Sequence, residues 1–146
     1  RAIKGLGYAI KLDTNGTMPQ VLSQLLDEGL VDYVAMDVKA PLDSRYQVVA
    51  GRPVRLAALR ESMGLVRAHG TSYEYRTTVA PPLGEADLRD IASCIESTER
   101  WFLQPFVASP SVDPSYRDRH GLDAADLEEI AGRLVSLVPK VSVRAA

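Results

Sequence analysis

The chain is poor in the residues that hold metals and crosslinks. Its 146 residues include one cysteine, Cys94, and two histidines, His69 and His120. A single thiol excludes an internal disulfide framework. It also excludes a metal or cluster held by several thiolates of this chain alone. Two histidines leave little for a His-rich metal site. No apolar run reaches the roughly 18 residues of a membrane span, and no secretory signal opens the sequence. A basic excess is missing too. Lys and Arg number 17 against 19 Asp and Glu, for a formal net charge of -2, which argues against a nucleic-acid-coating surface. The expectation is a cytoplasmic protein with no nucleic-acid and no membrane partner. The first residue is Arg1 rather than Met, so the N-terminus is expected to be a cut.

What is present is an ordinary globular mixture, 46% hydrophobic and 25% charged. The length suits one domain or a piece of one. Apolar Gly7 to Asp13 reads as a strand running into the turn cluster Thr14-Asn15-Gly16. A helix follows, with Thr17 as cap, Pro19 in its first turn, an apolar face of Val21, Leu22, Leu25 and Leu26, and Gly29 at its end. Val31 to Val38 reads as the second strand, stopped by Pro41. Asp43 to Ala50 predicts a short helical turn, and Val54 to His69 a longer helix carrying Leu56, Leu59, Met63 and Val66. Tyr73 to Val79 is a third strand before Pro81-Pro82, and Leu88, Ile91 and Ile95 mark the next helix. Trp101 to Phe106 is a fourth strand. Asp123 caps a last helix with Leu127, Ile130, Leu134 and Leu137, which Pro139 stops before a strand at Val141 and Val143. Strands alternating with helices predict an α/β fold with parallel strands, either doubly wound or part of a (β/α) barrel. A full eight-fold barrel takes about 250 residues, so this length predicts only part of one.

Side chains alternate between the two faces of a strand. The apolar sets serve the helix-covered face. The other face then collects Asp13, Asp37, Lys39, Glu74, Arg76 and Gln104, mostly near the carboxyl ends of their strands. Ligands bind at that edge in α/β folds, and buried charge is costly unless paired or met by a ligand. The set therefore predicts a polar cavity, with a purely structural ion network of Asp37 and Lys39 with Arg76 and Glu74 as the bland alternative. Lys11 reads as structural, Glu74 as an ion-pair partner, and His69 as a helix-end cation. His120 falls in the loop run Tyr116-Arg117-Asp118-Arg119, read as solvated surface, and Cys94 reads as a small packed residue on a helix between Ile91 and Ile95.

The stretches Asp13-Thr14-Asn15-Gly16, Met36-Asp37-Val38-Lys39, Tyr73 to Pro81 and Phe102 to Phe106 together form a pattern. It resembles the radical S-adenosylmethionine (radical SAM) activating enzymes of glycyl-radical proteins, most of all those that activate anaerobic ribonucleoside-triphosphate reductase. The likeness runs along nearly the whole chain. It implies a partial (β/α) TIM-type barrel, with residues 1–146 the carboxyl-terminal portion of a single radical SAM domain. In that family a CxxxCxxC loop holds a [4Fe-4S] cluster that cleaves S-adenosylmethionine, and the resulting 5′-deoxyadenosyl radical takes a hydrogen atom from a glycine of the partner. This sequence departs from the pattern: the three-cysteine loop and the Gly-Gly-Glu segment are absent from it, and the resemblance implies that both lie upstream of Arg1.

Carried over by resemblance, Asp37 and Lys39 face the methionyl end of S-adenosylmethionine, with Lys39 on its carboxylate. Thr14 and Asn15 lie beside them, and Arg76 approaches from the next strand. Asp13 and Asp37, with the Met36 carbonyl, match the place of a monovalent cation. Pro105-Phe106-Val107 stands where one relative has a histidine near the nucleoside, leaving Phe106 a stacking or packing role. Methionine's carboxylate needs a cation and its ammonium an anion, and residues 37 and 39 supply both signs. The implied partners are a glycyl-radical enzyme and an electron-donor protein. The implied activity is that of an oxidoreductase, absent from this stretch alone. Two other readings stand beside it: a barrel lyase or aldolase with Lys39 as Schiff-base nucleophile, and a non-catalytic half-barrel binding module.

Overall fold

The computed structural model describes residues 1–110, 113–116 and 118–144. Arg117, part of the run read as solvated surface, lies outside the described residues. The elements in chain order are α1 (Ala2–Gly5), β1 (Lys11–Thr14), α2 (Pro19–Asp27), β2 (Tyr33–Asp37), α3 (Arg45–Ala50), α4 (Leu56–His69), β3 (Ser72–Val79), α5 (Glu85–Ala92), β4 (Trp101–Pro105), a 3-10 turn at Pro114–Tyr116, α6 (Ala124–Leu134) and β5 (Val141–Val143). The strands form one five-stranded sheet in the order β1-β2-β3-β4-β5. The α/β fold with parallel strands expected from the sequence is what forms, and it is consistent with a partial (β/α) barrel.

Two compact units divide the chain: Arg1–Asp37 with Val54–Tyr75, and Val38–Pro53 with Arg76–Ala146. In the first, β1 and β2 run parallel and α2 packs on α4. Leu22 and Leu26 of α2 and Ala58, Leu59, Met63 and Val66 of α4 are buried, one side of each helix. Pro19 sits at the first helical position, where its missing N–H costs nothing. In the second, α6 packs on β4 and β5, which run parallel. Trp101, Leu103, Leu127 and Leu134 are fully buried there. Asp123 caps α6 as expected, its Oδ1 accepting the Asp126 N–H at 2.9 Å.

Several boundaries differ from the sequence reading. The first strand begins at Lys11 rather than Gly7, because Gly7 takes a left-handed turn (φ 83) after α1. The cap of α2 is Met18, not Thr17, since the Thr17 hydroxyl turns back to Asn15. Val21 is 45% exposed, so the α2 face narrows to Leu22, Leu26 and half-buried Leu25. The last helix ends at Leu134, well before Pro139, and leaves Leu137 exposed. Cys94 lies in a turn beyond α5 rather than on a helix, and is half-buried. The second strand stops at Asp37, so Val38 and Lys39 follow it rather than belong to it.

Candidate functional site

The candidate site starts from two adjacent strand ends. In the parallel pair, Lys11 stands beside Tyr33, Asp13 beside Ala35 and Thr14 beside Met36. Laterally paired residues share a face of the sheet. Lys11, Asp13, Tyr33, Ala35 and Asp37 therefore occupy one face, as the alternation predicted, and Thr14 sits next to the residue preceding Asp37. Asp13 is exposed and its Oδ1 lies 3.1 Å from Lys11 Nζ. Asp37 is half-buried at the end of β2. Glu74 is 2% exposed and its Oε2 accepts the Tyr33 hydroxyl at 2.6 Å.

The turn after β1 is built by its own side chains. Thr14 Oγ1 accepts the Gly16 N–H at 3.1 Å, and Asn15 Oδ1 accepts both the Thr17 N–H at 3.1 Å and the Thr17 hydroxyl at 2.7 Å. Asn and Thr offer the backbone these local partners, and the turn follows. Gly16 adopts φ 69, and a Cβ there would overlap the Met36 methyl. The Gly16 carbonyl accepts the buried Ser62 hydroxyl at 2.8 Å, which ties the turn to α4. Asp13, Thr14, Asn15 and Asp37 are thus brought to one end of the β1–β2 pair, with Thr14 and Asn15 oxygens engaged in shaping the turn.

Lys39 and Arg76 belong to the second unit. Both are half-buried. The residue before Lys39 meets β3 at the backbone: the Val38 N–H donates to the Arg76 carbonyl at 2.8 Å. The Val38 carbonyl accepts the Thr77 hydroxyl at 2.7 Å, and Thr77 Oγ1 accepts the Trp101 indole N–H at 2.9 Å. The Lys39 N–H donates to the Tyr46 hydroxyl oxygen at 3.3 Å. Beside Tyr46, the Arg45 guanidinium reaches three carboxylates, Asp43, Asp87 and Asp90, with Asp87 at 2.8 Å and Asp90 at 2.6 Å. Hydrogen bonds from the Arg45 side chain, then from its backbone N–H, hold the Asp43 carboxyl down to about 2. The same contacts raise the Arg45 guanidinium above its ordinary value, Asp43 first and Asp90 next.

The sequence carries no signal that marks Tyr33, Tyr46, Thr77 and Trp101 as site residues. A strand aromatic or threonine carries no local mark of the partner it meets 24 to 41 residues away. Phe106 packs near Tyr116, ring centroids 6.2 Å apart. His120 is exposed, as expected, and edges a cavity of about 350 Å³ with Phe106, Arg119 and Gly121 beyond the end of β4. His69 closes α4, exposed, with Nδ1 2.8 Å from the Thr71 hydroxyl.

Asp37 carries an anion and Lys39 and Arg76 carry cations, the two signs of charge that an amino-acid zwitterion needs. The side chains of this chain do not fit an iron–sulfur cluster. The only thiol is Cys94, and among the described residues no group of three or more His, Cys, Asp or Glu side chains could hold a metal ion. No protein-family model matches the chain. The chain is similar to a curated protein of Methanocaldococcus jannaschii that is named provisionally as a glycyl-radical enzyme activating enzyme, with 28% identity over 149 aligned residues. The match covers 99% of this chain and 62% of that relative, so the chain spans less than two thirds of the protein it matches.

Proposed function

We propose that residues 1–146 are the carboxyl-terminal portion of a single radical SAM domain, in a cytoplasmic enzyme that activates a glycyl-radical partner. The observation that carries this reading is a likeness to a named activating enzyme across 99% of the chain. Opposite charges at positions 37 and 39, and the placing of Asp37 at the same end of the β1–β2 pair as Asp13 and Thr14, support it. Lys39 binds the methionyl carboxylate of S-adenosylmethionine, and Asp37 binds its ammonium. Charge-assisted bonds of this kind are about twice as strong as neutral ones. Arg76 adds a second cation from β3. Thr14 and Asn15, whose oxygens shape the turn after β1, belong to the same cofactor-binding set, and Asp13 with Asp37 and the Met36 carbonyl offer oxygen ligands to a monovalent cation. The bound cofactor supplies radical chemistry; these residues fix where its amino-acid end lies.

The [4Fe-4S] cluster has no place among this chain's residues, so its ligands come from outside the 146 residues. The partner we propose is anaerobic ribonucleoside-triphosphate reductase, with a separate protein as electron donor. The test starts at the gene. A CxxxCxxC run upstream in the same reading frame, and a glycyl-radical signal on the partner after anaerobic incubation with the full protein, reductant and S-adenosylmethionine, are the expected results. An intact frame without those cysteines would overturn the reading. Borohydride trapping of a carbonyl substrate on Lys39 would instead favour the Schiff-base lyase.

A further inference from the structure

Both polar groups of the Val38–Lys39 peptide are held by side chains rather than by a strand. The Val38 carbonyl accepts the Thr77 hydroxyl at 2.7 Å, and the Lys39 N–H donates to the Tyr46 hydroxyl oxygen at 3.3 Å. Thr77 is fully buried and Tyr46 is 2% exposed. The direction of the Thr77 bond is fixed by Trp101. An indole N–H can only donate, so Trp101 Nε1, 2.9 Å away, makes the Thr77 oxygen its acceptor. The one Thr77 proton then goes to Val38. Ahead of this peptide, the Val38 N–H is fixed by the Arg76 carbonyl at 2.8 Å.

A peptide unit is planar. Gripping its carbonyl and its N–H sets the plane, and the plane sets the direction in which Lys39 leaves the main chain. The strand ladder ends at Asp37, so these hydroxyls do for Lys39 what sheet pairing does for Asp37. We propose that Thr77 and Tyr46 are positioning residues for Lys39, and that Trp101 locks the Thr77 hydroxyl in the required orientation. The proposal rests on the reading of Lys39 as the carboxylate-binding residue for S-adenosylmethionine.

The test is a mutant cycle in the full-length, anaerobically reconstituted protein, with S-adenosylmethionine affinity read by calorimetry at matched cluster content. Thr77→Val keeps the shape and removes the hydroxyl. Losing one hydrogen bond predicts a two- to tenfold weakening, order of magnitude. Thr77→Ser restores affinity to within about twofold, because it returns the hydroxyl. In a Lys39→Ala background, Thr77→Val weakens binding no further, because its effect passes through Lys39. A merely structural role would lower the unfolding midpoint of Thr77→Val and Thr77→Ser alike without this pattern in affinity. Should Thr77→Val fail to fold, Tyr46→Phe enters the same cycle from the other side of the peptide, with the same expectation. If Thr77→Val or Tyr46→Phe binds like wild type, or weakens binding equally with and without Lys39, the positioning role is overturned while the Lys39 reading stands. If Lys39→Ala itself binds like wild type, both fall.

Discussion

The Ser62 hydroxyl donates to the Gly16 carbonyl at 2.8 Å, buried between α4 and the turn that follows β1. The turn therefore takes its position from a helix some 46 residues away. Ser62→Ala leaves that carbonyl buried without its donor and is expected to destabilise the protein by about 1–3 kcal/mol. Gly16→Ala is expected to cost about 1–2 kcal/mol through left-handed strain, while the Met36 methyl it meets ends a flexible side chain. Denaturant midpoints of the two variants check both; either variant matching wild type would refute its part.

Lys39→Ala and Asp37→Ala should each weaken S-adenosylmethionine binding by the full-length protein. A charge-assisted bond predicts roughly ten- to hundredfold for Lys39. Calorimetry showing unchanged affinity in both variants would remove the site.

Acid sensitivity follows from Asp43. Its carboxyl titrates at about 2 in the folded protein, below its ordinary value, because Arg45 bonds its charged form. A depressed carboxyl contributes stability that is complete above the unfolded pKa of about 3.9 and is lost as pH falls through the folded one. The stability difference between wild type and Asp43→Asn should be flat above pH ~4 and shrink between pH ~4 and ~2. Unfolding midpoints across a pH series measure it. A difference that stays constant through that window would show that Asp43 contributes nothing to acid sensitivity.

The 146-residue chain should hold no iron–sulfur cluster by itself, given its single cysteine. Anaerobic reconstitution with iron and sulfide checks this by absorbance. Stoichiometric cluster on the isolated chain would contradict the assignment of its ligands to other residues.

The parts of the fold that were legible carry local signals. The Asp123 cap is a carboxylate three residues ahead of the N–H it accepts, and Tyr73 to Val79 is dense in β-formers. Errors came where two local partners competed or no breaker stood. Thr17 was free to cap α2 in sequence terms, but Asn15 takes its hydroxyl. The helix before Cys94 ends at Ala92 on ordinary right-handed backbone at Ser93, with no glycine or proline to announce it. Of the site, the charge alternation of Asp13 and Asp37 was readable because strand parity is local. The grip on the Val38–Lys39 peptide was not, since it joins residues that only the fold brings together.

In the order β1-β2-β3-β4-β5 every strand lies beside its immediate successor in the chain. No strand waits for a partner made much later. The sheet can grow one strand at a time from its amino-terminal side, in the direction in which a ribosome delivers it. The widest gap to close lies between Pro105 and Val141, where the 3-10 turn and α6 intervene, and the gap from Asp37 to Ser72 is nearly as long. Loop closure penalises length only slowly, so even these gaps cost little more than the shorter ones, and the sheet should grow in chain order.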